Sequence, residues 1–408
     1  MSMENHPSAR GLPEGNSGPG RKQPPGTPNP RKSSRWDNSR PATAPDFLLS
    51  RAHGSIRTQG VIEQISDPWL AAEELRAGIH QMVVGALPFD LDQPAALSVP
   101  RDVIRSDYPL EPPAHYRWSQ EKFSARIAAY DPAPADHQAR VEAAISTIAH
   151  SGLDKVVLAR AVELEIDPPV DPLLIASRLI DGSPNHDGFV VDLSPAGDNY
   201  LGKLLVGSSP EMLIRRRGEF VEAFPLAGSL PRSRDKHADA ENARRLADSM
   251  KNQAEHAYVV DDLAHNLAPL CTSLEVPEYP ELVSTSEMWH LATRIRGRLK
   301  DPSLSALDLA LVVHPTPAIC GTPTESAFGV IKAVESDRGF YAGAVGWCDS
   351  DGDGEFVVAI RCAEINTAGN VARLWAGGGI VAHSDPEEEL AETFAKMSTV
   401  LRAFGVRT

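Results

Sequence analysis

Apolar positions along this chain follow two periods, and segments of each kind interchange without a fixed repeat. Spacings of three and four predict helices over Trp69 to His80, Ala135 to Ser151, Asp171 to Ile180, Ala306 to Val313, Thr324 to Ser336 and Pro386 to Phe404. One or two more cross Asp239 to Leu267. β-branched and alternating runs predict strands over Met82 to Phe89, Lys155 to Ile166, Gly188 to Leu193, Tyr200 to Gly207, Gly339 to Trp347, Phe356 to Ile365 and Val371 to Trp375. Glu211 to Arg216 and Glu219 to Leu226 read as a hairpin around Arg217-Gly218, and Pro280 to Leu299 returns to strand. Proline-punctuated Pro100 to Ser119 reads as irregular, a seam between an N-terminal lobe (46–115) and a main domain (116–408). The mixture lacks regular βαβ alternation. It predicts an α+β fold, with large, mainly antiparallel β-sheets packed with helices around a central site.

Composition changes the picture at the N-terminus. Residues 1–45 are rich in Pro, Gly, Ser, Arg and Asn and nearly free of aliphatic side chains, so they are expected to be disordered. They lack the apolar core of a secretory signal, and their prolines work against a transit-peptide helix. The full chain of 408 residues carries a formal net charge of -15, which argues against nucleic-acid binding and against an anionic membrane surface. No apolar run approaches the roughly 20 residues that span a bilayer. Cys271, Cys320, Cys348 and Cys362 are widely spaced, as in a reducing compartment, so a cytoplasmic location is expected. A monomer is the simplest expectation for assembly.

The densest local signal is Gly346 to Ala363. An acidic, glycine-rich turn over Asp349 to Gly354 leads into a β-branched strand with Arg361 in its interior. A guanidinium among such neighbours needs a partner, and a carboxylate suits its fork. That carboxylate belongs either to the protein, as a structural ion pair, or to a ligand.

The last helix is the second signal. Ser384 or Asp385 can cap it, Pro386 fits its first turn, and Leu390, Phe394, Met397 and Leu401 form a core stripe. Glu389, Glu392 and Lys396 share a neighbouring face, where two carboxylates can hold a hard cation; a solvated face with an ordinary i, i+4 pair is the plainer alternative. Glu255, on the helix that opens with Lys251, can supply another metal arm. Lys155 starts a strand on its apolar face and can serve as a general base, or its stem lies along the sheet with the head in water. Glu211 follows Ser208-Ser209-Pro210 at a strand entrance; half-buried, it can donate a proton. His290 alone reads as a satisfied core residue, and Gly377 to Gly379 end a strand with backbone N–H groups open to an anion.

Taken together, Asp154 to Arg160, Gly207 to Glu211, Pro225 to Ser229, Trp289 to Thr293, His314 to Ala318, the Gly346 turn-strand and Gly378 to Val381 leading into Glu389 and Glu392 resemble the chorismate-utilising enzymes. Within that family they are most similar to the isochorismate synthases. The resemblance implies a magnesium-dependent isomerisation of chorismate, in which water adds at ring C2 while the C4 hydroxyl leaves. It implies Lys155 as the base that activates water and Glu211 as the acid for the departing hydroxyl. Glu255 and Glu389 would hold Mg²⁺ directly, with Glu392 in support. Arg361, Gly377, Gly378 and Gly379 would grip the pyruvyl carboxylate with Lys396 and Tyr341. Ala227, Gly228 and Ser229 would line the ring, His290 would lie near C4, and Ala318 belongs to the isochorismate-releasing pattern. Asn252 departs from the acidic residue expected three positions before Glu255. Ala227 argues against aminodeoxychorismate synthase, and Lys155 against anthranilate synthase. Salicylate synthase, which goes on to eliminate pyruvate, is the rival within the family; a non-catalytic metabolite-binding module is the rival outside it. Siderophore biosynthesis is the preferred destination, with menaquinone and salicylate routes as alternatives.

Overall fold

A computed structural model describes residues 45–117 and 122–406. The expected disordered extension therefore falls almost wholly outside the described residues. One antiparallel sheet dominates. Ser124–Asp131 lies beside Lys155–Asp167, followed by Val371–Ile380, Cys362–Asn366, Lys203–Gly207, Gly188–Asp192 and Phe47–Arg51. The series continues through Gly54–Ile65, Ala96–Ser106, Met82–Leu87, Ala344–Asp349, Gly354–Val358, Met212–Arg217, Phe220–Phe224, Ile295–Leu299 and Cys271–Glu275. A second sheet sets Met288–Ala292 between Leu226–Pro231 and Glu281–Ser284. Strands from both sides of the expected seam thus share one sheet.

The architecture agrees with the α+β expectation, and three local expectations are corrected. Ala96–Ser106 is a strand despite Pro100, which sits opposite Val61 beside a register shift in Gly54–Ile65. A proline is tolerated at such an irregularity because a ladder bond is already missing there. The expected single strand from Phe356 to Ile365 is two. Gly354–Val358 pairs with Ala344–Asp349 and Met212–Arg217, whereas Cys362–Asn366 pairs with Lys203–Gly207 and Val371–Ile380. Arg361 lies in the break with φ +51°, a left-handed conformation that non-glycine residues adopt only at a cost of about 1–2 kcal/mol. Gly377, Gly378 and Gly379 do not end their strand but lie within it, opposite Ala159, Leu158 and Val157.

Two helices flank this region. Met250–Leu267 begins at Ser249, whose side chain accepts from the Asn252 N–H. Pro386–Ala403 is capped by Asp385, which accepts from the N–H groups of Glu387 and Glu388. Its buried side is Glu389, Thr393, Met397, Val400 and Leu401, while Leu390 and Phe394 are only half-buried. A carboxylate therefore occupies a helix face that periodicity assigned to solvent. Among the described residues no helix is long and apolar enough to cross a membrane, and all four cysteines are buried and free.

Candidate active site

The two helices, the glycine strand and the small sheet enclose one cavity. Glu211, Ala227, Gly228, Ser229, Glu255, His290, Ala318, Tyr341, Arg361, Gly377, Gly379 and Lys396 all line it, with Val157, Ile319, Ile360 and Trp375 as apolar wall. Lys155, Gly378, Glu389 and Glu392 stand behind that lining. These residues span more than half the sequence. The pairing of Val371–Ile380 with Lys155–Asp167 brings the glycines beside Lys155.

Lys155 has no solvent-exposed surface, which rules out an amine that reaches water. Its Nζ lies 3.1 Å from Glu255 Oε1, an ion pair without a well-aligned hydrogen bond. Burial pushes Glu255 up, but the charges of Lys155, Lys396 and Lys251 outweigh it and hold the carboxyl below its usual range. Glu211 behaves oppositely. Burial dominates there and pushes its carboxyl up to about 7, against the Leu226 N–H and the charges of Lys155, Lys396 and Arg361. Glu211 is fixed through its backbone: its N–H donates to Ser209 Oγ (3.3 Å), and its carbonyl accepts from Val358 (3.1 Å). One buried carboxyl is thus held ionised, as a cation-pairing group needs, and the other is held protonated up to about pH 7, as a proton donor needs, in a single cavity.

Arg361 is buried, and burial brings its guanidinium down to about 10. Among the described residues no carboxylate forms an ion pair with it; Nη1 donates to Thr399 Oγ1 at 3.2 Å. The structural ion pair weighed from the sequence is therefore not what holds this arginine. Lys396 donates to the Gly377 carbonyl (2.9 Å) and pairs with Glu392 (2.6 Å). Tyr341 stacks on Trp375 with centroids 5.7 Å apart. His290 is buried and neutral, because burial first, and then Arg361 and Lys396, push it well below its usual value. Its Nδ1 meets Ser229 Oγ at 2.8 Å, while Nε2 has no hydrogen-bond partner among the described residues.

The three carboxylates expected to hold a metal each contact a lysine: Glu255 with Lys155, Glu389 with Lys251 (2.8 Å) and Glu392 with Lys396. Among the described residues no three His, Cys, Asp or Glu side chains converge at ligating distance. The donor chemistry nevertheless suits a hard divalent cation. Glu389 is pushed up to about 7 by burial and by Glu392, and its buried Oε2 has no hydrogen-bond partner among the described residues. Such an oxygen is costly unless something positive meets it. Asn252 serves the ring wall instead: its Oδ1 accepts from the Ser229 N–H (3.3 Å), and its Nδ2 donates to Ser249 Oγ (2.8 Å).

Glycine at 379 leaves the space that Glu255 and Lys155 occupy. A Cβ there would lie 2.2 Å from Glu255 Oε1 and 2.8 Å from Lys155 Cε. Gly379→Ala is expected to cost about a hundred-fold in kcat/KM, since displacements near 1 Å have that effect on positioned groups. Steady-state kinetics with a circular dichroism control would check it; activity within three-fold of wild type would refute it.

Sequence reasoning missed Lys251, Trp375, Glu287 and Thr399. Lys251 precedes Glu255 by four residues on one helix, a spacing that could have flagged it. Trp375 lay in a predicted strand with nothing to mark its face. Glu287 meets Thr399, and Thr399 meets Arg361, only through the fold, and neither left a local signal.

Comparison with known proteins agrees with this geometry. Residues 111–405 match the family model described as "Chorismate binding enzyme". Isochorismate synthase DhbC of Bacillus subtilis is 44% identical over 376 residues, covering 88% of this chain and 94% of the relative. A Mycobacterium tuberculosis protein provisionally named isochorismate synthase MenF is 46% identical over 368 residues, covering 89% of this chain and 96% of the relative. The crystal structure of a provisionally named 2,3-dihydroxybenzoate-specific isochorismate synthase, DhbC, from Bacillus anthracis superposes with a TM-score of 0.81 at 36% identity, covering 89% of this chain and 96% of that one. With residues 111–405 matching the family model and these relatives aligned over most of their length, the chain belongs to the chorismate-binding enzymes, in the company of the isochorismate synthases.

Proposed function

We propose that this enzyme isomerises chorismate to isochorismate. The observation that carries the reading is Arg361, a buried guanidinium that forms an ion pair with no carboxylate among the described residues and lines the cavity that Glu211 and Glu255 also line. A small cyclic diacid supplies the missing anion. Lys396 and the N–H groups of the glycine strand add to that end of the site. Ala227 to Ser229, His290 and the stacked Tyr341 and Trp375 form walls for the ring.

In this reading the Lys155 amine, in its neutral form, takes a proton from the water that attacks C2. Glu211 gives a proton to the C4 hydroxyl as it departs, and the ring double bonds shift between the two carbons. One water is consumed and one released, so the product is an isomer. Glu211 suits the acid role because burial keeps its carboxyl protonated up to about pH 7. Glu255, Glu389 and Glu392 would hold Mg²⁺, whose charge would offset a substrate carboxylate among these acidic side chains.

The names of the relatives favour release of isochorismate over further conversion to salicylate. The DhbC relatives support a siderophore destination, and the MenF name supports menaquinone. Purified protein with chorismate and Mg²⁺ is expected to form isochorismate without pyruvate, and to lose activity with EDTA. Stoichiometric pyruvate with salicylate fluorescence would overturn the assignment. Absence of any turnover would return the non-catalytic reading.

A further inference from the structure

Arg361 is shared between two cavities. It lines the one described above and also an outer cavity of about 520 Å³ bounded by Ser183, Ser284, Thr285, Glu287, Thr399 and Arg402. A long side chain on such a boundary has to be held in one direction, and Arg carries about 2 kcal/mol of rotamer entropy. Something has to choose that direction.

The hydrogen bonds around Thr399 make that choice. Arg361 Nη1 donates to Thr399 Oγ1 (3.2 Å), and Thr399 Oγ1 donates to Glu287 Oε2 (2.9 Å). A hydroxyl has one proton, and an ionised carboxylate can only accept. Glu287 therefore takes the Thr399 proton and leaves the hydroxyl lone pairs to face Arg361. Arg402 pairs with Glu287 from the other side. The Glu287 backbone is held as well, since its carbonyl accepts from the Arg232 N–H at 2.7 Å. Glu287 also precedes His290 by three residues, so the piece of chain that steers Arg361 leads directly into the ring wall. Interposing a hydroxyl has a further consequence. A carboxylate bonded directly to Arg361 would compete with an anionic substrate, whereas a neutral hydroxyl orients the guanidinium and leaves its charge available.

We infer that Thr399 and Glu287 are positioning residues that aim Arg361 at the substrate carboxylate; the inference rests on the function proposed above. Thr399→Val keeps the shape and removes the hydroxyl. It is expected to raise the KM for chorismate roughly ten-fold with kcat changed less than three-fold, the loss typical of one hydrogen bond to a charged group. Thr399→Ser should restore KM to within about two-fold, because it keeps the hydroxyl. Glu287→Gln should raise KM less than Thr399→Val, since an amide oxygen still accepts the proton. A structural role alone would lower thermal stability without splitting KM from kcat. Wild-type turnover tests the function, and the variants measured against it test the relay. A crystal structure of Thr399→Val tests the relay even without turnover. The guanidinium is expected to rotate away from its wild-type position; an unmoved Arg361, or an unchanged KM, overturns the inference.

Discussion

Lys155→Met is expected to lower kcat about a thousand-fold, within the range that a positioned general base contributes, while KM changes less than ten-fold. Methionine fills the space of a side chain that has no exposure to solvent and removes only the amine. The cationic side chains of Arg361 and Lys396 would remain in the cavity, so the variant should still bind chorismate. The variant also carries a stability signature. Glu255 is held below its usual value of 4.5 in the folded protein. Its ion pairing therefore stabilises the fold above about pH 4.5, and that contribution is lost as the pH falls and the carboxyl protonates. Removing Lys155 should cost stability at pH 7 and less at pH 4, where the unfolded chain has begun to take up the proton. The cost should fall short of the about 3–5 kcal/mol typical of orphaning a buried charge, because Lys396 and Lys251 still act on Glu255. Stopped-flow or steady-state kinetics with denaturation at both pH values checks both parts. Unchanged kcat would remove Lys155 from the chemistry.

How much of this was legible in the sequence depends on whether each cause was local. Lys155, Glu211, Glu255 and Arg361 stand in short segments whose residue types announce a task, and the fold brings all four to one place. The break at Arg361 was hidden because Phe356, Val358 and Ile360 continue the strand alternation across it. What breaks the strand is pairing with different neighbours on each side, and alternation carries no information about partners. The burial of Glu389 was hidden for a related reason. Helical periodicity assigns apolar residues to the core, but this carboxylate is buried with Lys251 Nζ at 2.8 Å and Ser384 Oγ at 2.7 Å, and the lysine lies 138 positions away. The Glu287 to Thr399 contact joins residues 112 positions apart. Pro100 misled because its effect on a strand depends on whether the ladder needs an N–H there, and the register shift opposite it removes that need.

Glu211→Gln is the second large effect, and its sign differs between activity and stability. Glutamine keeps the shape and cannot donate an acidic proton, so kcat should fall about a hundred- to ten-thousand-fold. In the wild type, activity should decline as the pH rises through about 7, where the Glu211 carboxyl ionises. Stability moves the same way with pH. The folded-state value of about 7 lies above the usual 4.5, so between these limits the folded protein binds more protons than the unfolded one. The Glu211 contribution is therefore full below pH 4.5 and is lost, by about 3 kcal/mol, as the pH rises through 7, where a charge must be kept in a site that disfavours it. Glutamine carries no such charge. The variant should match the wild type near pH 4 and exceed it near pH 8. Glu389, also raised to about 7, produces a similar decline in both proteins, so the difference between them isolates Glu211. Urea denaturation of both at pH 4.5 and pH 8 measures it. A variant that is inactive yet more stable at the higher pH is the expected result, since a site that holds a proton for catalysis does so at the expense of the fold. A variant less stable than wild type at both pH values would mean that Glu211 is a structural carboxylate and not the proton donor.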